Sequence, residues 1–224
     1  MSETNAAPAG GVAAVEPRAG SCYSHGWDRM WNYFLELLLI VVVMIVAAIP
    51  ITWMSLADEM GTYEGFLLKF FALIYWIMLF APLKYGFAYA FLRAARSEKL
   101  DTKDILIPFR NYFNAVLANL LVSIVIGIGI AFLIVPGIIL ACKLAFVPYL
   151  VVDRKLDAIE AFKESWRMTG GHALEIFLIG LLAMPIGIAG FILLGVGLIA
   201  STMWIGLAFA SMYYAVAGSS KTAA

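Results

Sequence analysis

Five polar side chains interrupt otherwise apolar stretches of this sequence: Glu36, Lys84, Asn119, Lys143 and Glu175. Two ammonium groups, two carboxylates and an amide in apolar surroundings can do one of two things. They can converge on a polar pocket that grips a lipid headgroup or a small solute, or they can pair across helices and lock them in register. Lys84 and Lys143 lie roughly 12–14 Å of helix from the end of their runs, at 1.5 Å per residue. At such depth in hydrocarbon a charge costs about 2.5–3.5 kcal/mol on insertion scales, and lysine recovers part of that by stretching toward the interface. Both lysines therefore call for a partner or a wet cavity. Glu36 and Glu175, near the starts of their runs, are the nearest opposite charges.

Other chemistry is absent from the pattern. The "GVGLIA" stretch at 195–200 imitates a dinucleotide fingerprint, but no strand precedes it and no acidic residue follows at the required distance. His25 and His172 stand alone. Ser165 and Ser201 have no neighbouring base that would make either a nucleophile. Cys22 and Cys142 have neither metal-ligand spacing nor the context for a disulfide. The sequence thus carries no catalytic, metal or cofactor site, and the expectation is a protein that is not an enzyme.

The elements that position these residues follow from composition. Of 224 residues, 63% are hydrophobic and 13% charged, and mean hydropathy is +0.93. Soluble domains are about half apolar and a quarter charged, so the solvent here is lipid. A formal charge of zero gives no footprint for nucleic acid. Residues 1–26, rich in Ala, Gly, Pro and Ser, lack the charged start and apolar stretch of a signal peptide and read as a disordered cytoplasmic tail. Residues 219–224 read as a second such tail.

Apolar runs cover about 31–56, 66–92, 113–152 and 173–217. A span needs roughly 20 residues, so the last two runs are each long enough to cross twice. Charge supports the double crossing. Segments 93–110 and 153–171 are both basic, whereas the loop after the first run holds Asp58, Glu59 and Glu64 without a cation. Positive connectors mark the cytoplasmic side, and two crossings put both there. Turns are expected at Pro136 and Gly137 and at Gly195 and Gly197, where proline removes a donor and glycine permits a tight bend. The spans become 31–56, 66–92, 113–134, 137–152, 173–194 and 197–217. The fold class is an all-α membrane protein of six transmembrane helices, arranged as three helical hairpins with both termini in the cytoplasm; a five-span version is the alternative.

The two doubled runs align without gaps at an offset of 60, placing Gly127 on Gly187 and Gly137 on Gly197. Asn32-Tyr33-Phe34 recurs as Asn111-Tyr112-Phe113. Either the chain repeats a hairpin, or any two apolar hairpins would align so. Between hairpins, "LDAIEAFKESWRMTGG" reads as an interfacial helix over 157–169. Asp157 and Glu160 form its capping box, Ile159, Phe162, Trp166 and Arg167 anchor it at the membrane surface, and Gly170-Gly171 ends it. Gly137, Ala141 and Ala145 form a small-residue ridge suited to close helix packing.

Several blocks carry a resemblance: Asp104-Ile105, "FRNYF", "VPGIIL", "FVPYLVVD" and "AIEAFKESWRMTGGH". In this order they resemble the YciC-like bacterial integral-membrane proteins, and the membrane domain attached to some glycerophosphoryl diester phosphodiesterases. The resemblance covers about Lys99 to Leu178. It implies a six-helix protein of the bacterial inner membrane without a known reaction; the phosphodiesterase of those relatives is a separate soluble domain, and no such activity is expected of this sequence. The expectation is an integral membrane protein that binds or scaffolds within the bilayer, with membrane lipids, further copies of itself or other membrane proteins as partners. A transporter or lipid-handling protein using the polar pocket, and an accessory subunit of a larger membrane complex, are the alternatives.

Overall fold

The computed structural model describes residues 15–56, 63–100, 107, 109, 111–193 and 196–222. The acidic loop at 57–62, the segment 101–106, Gly195, residues 1–14 and residues 223–224 lie outside them. Among the described residues every regular element is helical. In chain order these are α1 (Ala19–Asn32), α2 (Phe34–Leu56), α3 (Tyr63–Tyr75), a π-helical turn (Trp76–Phe80), α4 (Ala81–Ala95), α5 (Tyr112–Phe132), α6 (Ile134–Lys143), α7 (Val147–Asp153), α8 (Ala158–Met168), α9 (Ala173–Ile192) and α10 (Val196–Thr222).

Five helical stretches are long and apolar enough to cross a membrane, or six if the bent pair α1 and α2 counts as one span. Leu35, Val46, Phe66, Ile130, Leu181 and Ile188 are among the many large apolar side chains left exposed on α2, α3, α5 and α9. A soluble surface does not carry so continuous an apolar coat; a surface in lipid does.

The core lies where α4, α7 and α10 meet. Tyr149 of α7 stacks on Tyr213 of α10 with ring centroids 5.1 Å apart, and Phe146 meets the same ring edge-on at 5.5 Å. Tyr85 and Leu92 of α4 are buried beside them.

The N-terminal expectation needs correction. Residues 19–26 are not a disordered tail but the first half of α1. Cys22, Tyr23, Gly26 and Met30 recur at helical spacing and are buried, which gives this polar-looking segment an apolar face. That face packs chiefly on α10, with α1 turned 98° from α2. Trp204 Nε1 donates to the Tyr23 carbonyl (2.9 Å), and the Tyr23 hydroxyl donates to the Ile179 carbonyl (2.9 Å). Arg29 Nε donates to His25 Nε2 (3.3 Å), leaving Nδ1–H for Ser211 Oγ (2.9 Å). The C-terminal tail is also shorter than expected, because α10 continues to Thr222.

The hairpin turns differ as well. The chain breaks at Leu133, which is extended (φ −164°, ψ 142°), and Pro136 and Gly137 sit inside α6. Proline suits the first turn of a helix, where its missing N–H has no helical acceptor to lose, so the turn precedes it. Gly137 instead allows α6 to close on α5: a Cβ there would stand 2.8 Å from the Ile130 backbone nitrogen. The second hairpin closes on a glycine in the same way, although Leu193 (φ −81°, ψ 17°) is not extended as Leu133 is. α9 ends at Ile192 and α10 starts at Val196, so the expected turn residue Gly195 falls between them, outside the described residues, while Gly197 sits inside α10, where a Cβ would stand 2.5 Å from the Gly190 carbonyl oxygen. Leu133 and Leu193, Ile130 and Gly190, and Gly137 and Gly197 are each separated by the offset of 60 found in the sequence, so the two hairpins share one turn position and one contact.

The stretch expected as a single span at 137–152 is interrupted by a turn over Leu144–Phe146, which separates α6 from α7. The Lys143 carbonyl, freed by that break, accepts from Ser165 Oγ (2.8 Å) and Thr169 Oγ1 (3.2 Å) of the α8 segment.

Candidate functional site

A groove of about 550 Å³ runs between α4, α5, the α6–α7 break and α10. Its walls are mostly apolar, and Lys84, Asn119, Tyr85 and Tyr149 line it among the apolar side chains. The backbone geometry that places Lys84 there starts at Pro82. Proline has no N–H to give the carbonyl four residues back, which is that of Met78 in the π-helical turn. The Tyr112 hydroxyl donates to this carbonyl instead (2.9 Å). Pro50 likewise lies inside α2, and one turn before it the Ala47 carbonyl accepts from the Tyr75 hydroxyl (2.9 Å). A π-helical turn re-aims the helix that follows it and is frequent at functional sites.

Lys84 is exposed to the groove, and no carboxylate among the described residues pairs with it. Asn119 is only 7% exposed and its amide nitrogen has no hydrogen-bond partner. Neither phenol of Tyr85 and Tyr149 makes a hydrogen bond among the described residues. Thr202, also in the lining, has already committed its hydroxyl to the Leu198 carbonyl (2.7 Å). Buried polar groups are satisfied in the great majority of cases, so the unmet Asn119 amide, sharing an apolar groove with the Lys84 ammonium, is the strongest functional signal in the fold.

Only two of the five expected pocket residues share this groove. Lys143 leaves it: its ammonium lies 5.7 Å from the centre of the Trp166 ring, a cation–π contact. Glu175 accepts the Ala19 backbone N–H at the start of α1 (2.8 Å), where a helix N-terminus favours a carboxylate. Glu36 is exposed on α2 and is not among the residues that line this groove. The inner-leaflet pocket of Glu36, Lys84, Asn119, Lys143 and Glu175 is therefore replaced by a groove holding Lys84 and Asn119 alone, because the rotation of each helix points the other three elsewhere. The small-residue ridge divides too: Gly137 meets α5, while Ala141 and Ala145 line the groove.

The helix over 157–169 is present as α8. Its buried face is Ala158, Ala161, Ser165 and Met168. Ile159 and Trp166 remain exposed, and Phe162 stacks beside Trp166. Asp157 occupies the N-cap position without a side-chain capping bond; its carboxylate accepts from Asn114 Nδ2 instead (2.9 Å). Arg167 and Arg154 both donate to Glu164. Those bonds, Arg167's foremost, hold the Glu164 carboxyl below its ordinary range. Gly171 ends the segment in the left-handed region, at φ 89°.

A second polar cluster was not foreseen as a unit. Arg96, just past α4, donates twice to Asp153 at the end of α7 (2.6 and 2.8 Å), and the Tyr213 hydroxyl of α10 donates to the same carboxylate (2.9 Å). The three core helices are thus tied at one end. The aspartate that closes "FVPYLVVD" was the available signal. This pair also brings the two basic connectors to the same end of the bundle.

A family model described as a domain of unknown function, DUF7847, matches residues 107–223, just over half of the chain. The chain belongs to this family. The DUF7847 match spans α5 to α10, and so contains both glycine-closed hairpins, Asn119 and Asp153, while Lys84 and Arg96 lie ahead of it. The match gives no support to the resemblance to YciC-like or phosphodiesterase-associated proteins. No curated protein and no solved structure matches the chain.

Proposed function

We propose that the chain is a multipass protein of the bacterial inner membrane whose groove holds an amphiphile from the bilayer, binding it without chemical change. The observation that carries this reading is Lys84: an ammonium within an apolar span, facing a groove, with Asn119 as the other unmet polar group. A lysine that only locked helices together would have its carboxylate within reach. A volume of about 550 Å³ falls within the roughly 300–1,000 Å³ of small-ligand sites. Protein isolated in a mild detergent should carry a bound amphiphile in native mass spectrometry, and Lys84→Ala protein of equal thermal stability should not. Wild-type protein that is empty under these conditions sinks the reading.

We read the topology as six crossings with both termini in the cytoplasm. The contact between Arg96 and Asp153 favours one compartment for the basic segments, and their charge favours the cytoplasm. With Cys22 and Cys142 replaced by alanine, single cysteines at Lys99 and Glu160 should react with an impermeant maleimide from the same face of sealed vesicles, and one at Leu133 from the other. Opposite accessibility of the first two sites would refute this arrangement.

A further inference from the structure

We propose that the amphiphile in the groove carries an oxyanion, a carboxylate or a phosphate, held between the Lys84 ammonium and the Asn119 amide. This inference rests on the groove being a binding site, as proposed above, and adds the charge of what it binds. The lining contains a cation and no carboxylate. Its remaining free polar hydrogens belong to the Asn119 amide and to the phenols of Tyr85 and Tyr149, whereas the Thr202 hydroxyl is occupied by Leu198. An acceptor-rich, negatively charged head offers lone pairs to the ammonium and to these donors, which a neutral or cationic head does not match. A neutral hydroxyl head would leave the ammonium uncompensated in a low-dielectric wall, and a cationic head would be repelled. Val122 and Ile126 of α5 continue the groove beyond Asn119 with apolar wall, which suits an acyl chain. The site therefore takes a head and a chain, and the head is anionic.

The test uses three matched single-chain probes carrying a diazirine in the chain: palmitate, lysophosphatidic acid and monopalmitoylglycerol. The full-length protein is held in nanodiscs of a zwitterionic lipid. Photolabelling should map to the α5 peptide containing Val122 and Ile126 for palmitate, for lysophosphatidic acid, or for both; the probe that labels identifies whether the natural head is a carboxylate or a phosphate. Lys84→Gln should weaken that labelling about thirtyfold or more, the effect of removing one partner of a desolvated charge pair, and Lys84→Arg should restore most of it. If monopalmitoylglycerol labels the groove as well as the anionic probes, and Lys84→Gln changes nothing, the groove binds amphiphiles but not by charge; this inference then fails while the proposed function stands. If no probe labels the wild-type groove, both fail. A Lys84→Gln protein that does not fold would show as a loss of the cooperative melt, and Asn119→Ala then substitutes: it should weaken the anionic probes and leave monopalmitoylglycerol unchanged, and equal weakening of all three would overturn the inference.

Discussion

Asp153→Ala is expected to destabilise the bundle by about 2–4 kcal/mol. An exposed ion pair would be worth 0–1 kcal/mol, but this one is neither exposed nor simple. The Asp153 and Arg96 side chains are 14% and 24% exposed. Their contact is bidentate, and the Tyr213 hydroxyl completes the carboxylate. Removing Asp153 strands a guanidinium and a phenol at once, and losing one partner of a fully buried pair costs about 3–5 kcal/mol; partial exposure lowers the expectation by about 1 kcal/mol from that range. Tyr213→Phe deletes one hydrogen bond and keeps the ring that stacks on Tyr149, so about 1–2 kcal/mol is expected. The paired change Arg96→Met with Asp153→Leu should recover most of the loss, since no charge is then left unpaired. Thermal or denaturant unfolding in detergent reads all three. An Asp153→Ala protein that melts with the wild type would mean the cluster contributes nothing to holding α4, α7 and α10 together.

The same cluster shows where sequence reasoning stops. Arg96 and Asp153 were visible as charges beside apolar runs, and the lysine and arginine excess of the two segments they belong to was the ground for expecting both connectors on one side. That they touch depends on how α4 and α7 cross, which hydropathy does not encode. Lys84 and Asn119 were legible for a related reason: a polar residue within an apolar run is conspicuous whatever its rotation. Lys143 and Glu175 were equally conspicuous, yet they point to Trp166 and to the start of α1. Depth along a helix can be counted from its ends, whereas azimuth is set by packing. The first helix escaped notice because its buried residues include Cys22 and Gly26, small side chains in a stretch whose composition resembles a tail. Only their spacing reveals the apolar face, and the aromatic Trp27 and Trp31 on the exposed side blur it. Proline misled in the expected direction: Pro136 marks a helix start, so the turn fell just ahead of it.

The glycines provide the sharpest contrast available in this chain, because the 60-residue offset supplies its own controls. Gly197→Val is expected to cost about 3 kcal/mol or more, at or above the usual range for overpacking. The new Cβ would meet the Gly190 carbonyl oxygen and the Leu193 Cβ, each at 2.5 Å. A carbonyl in a helix cannot swing aside as a side-chain tip can, so α9 and α10 must separate. In lipid no hydrophobic force pulls the helices back, and close packing at small residues is the main attraction to be lost. Gly137→Val should act alike on α5 and α6, where a Cβ would stand 2.8 and 2.9 Å from the Ile130 nitrogen and Cα. Gly127 and Gly187, which also correspond at this offset, have nothing within 4 Å of the position a Cβ would take. Alanine at either should be neutral or stabilising by up to about 1 kcal/mol through helix propensity alone. Two glycines that match in sequence spacing thus divide from two others by the space around them. Unfolding midpoints of the four single variants should fall into two groups along that line. Equal tolerance at all four positions would show that the hairpins do not close on their glycines, and the correspondence between the two repeats would then be one of hydropathy only.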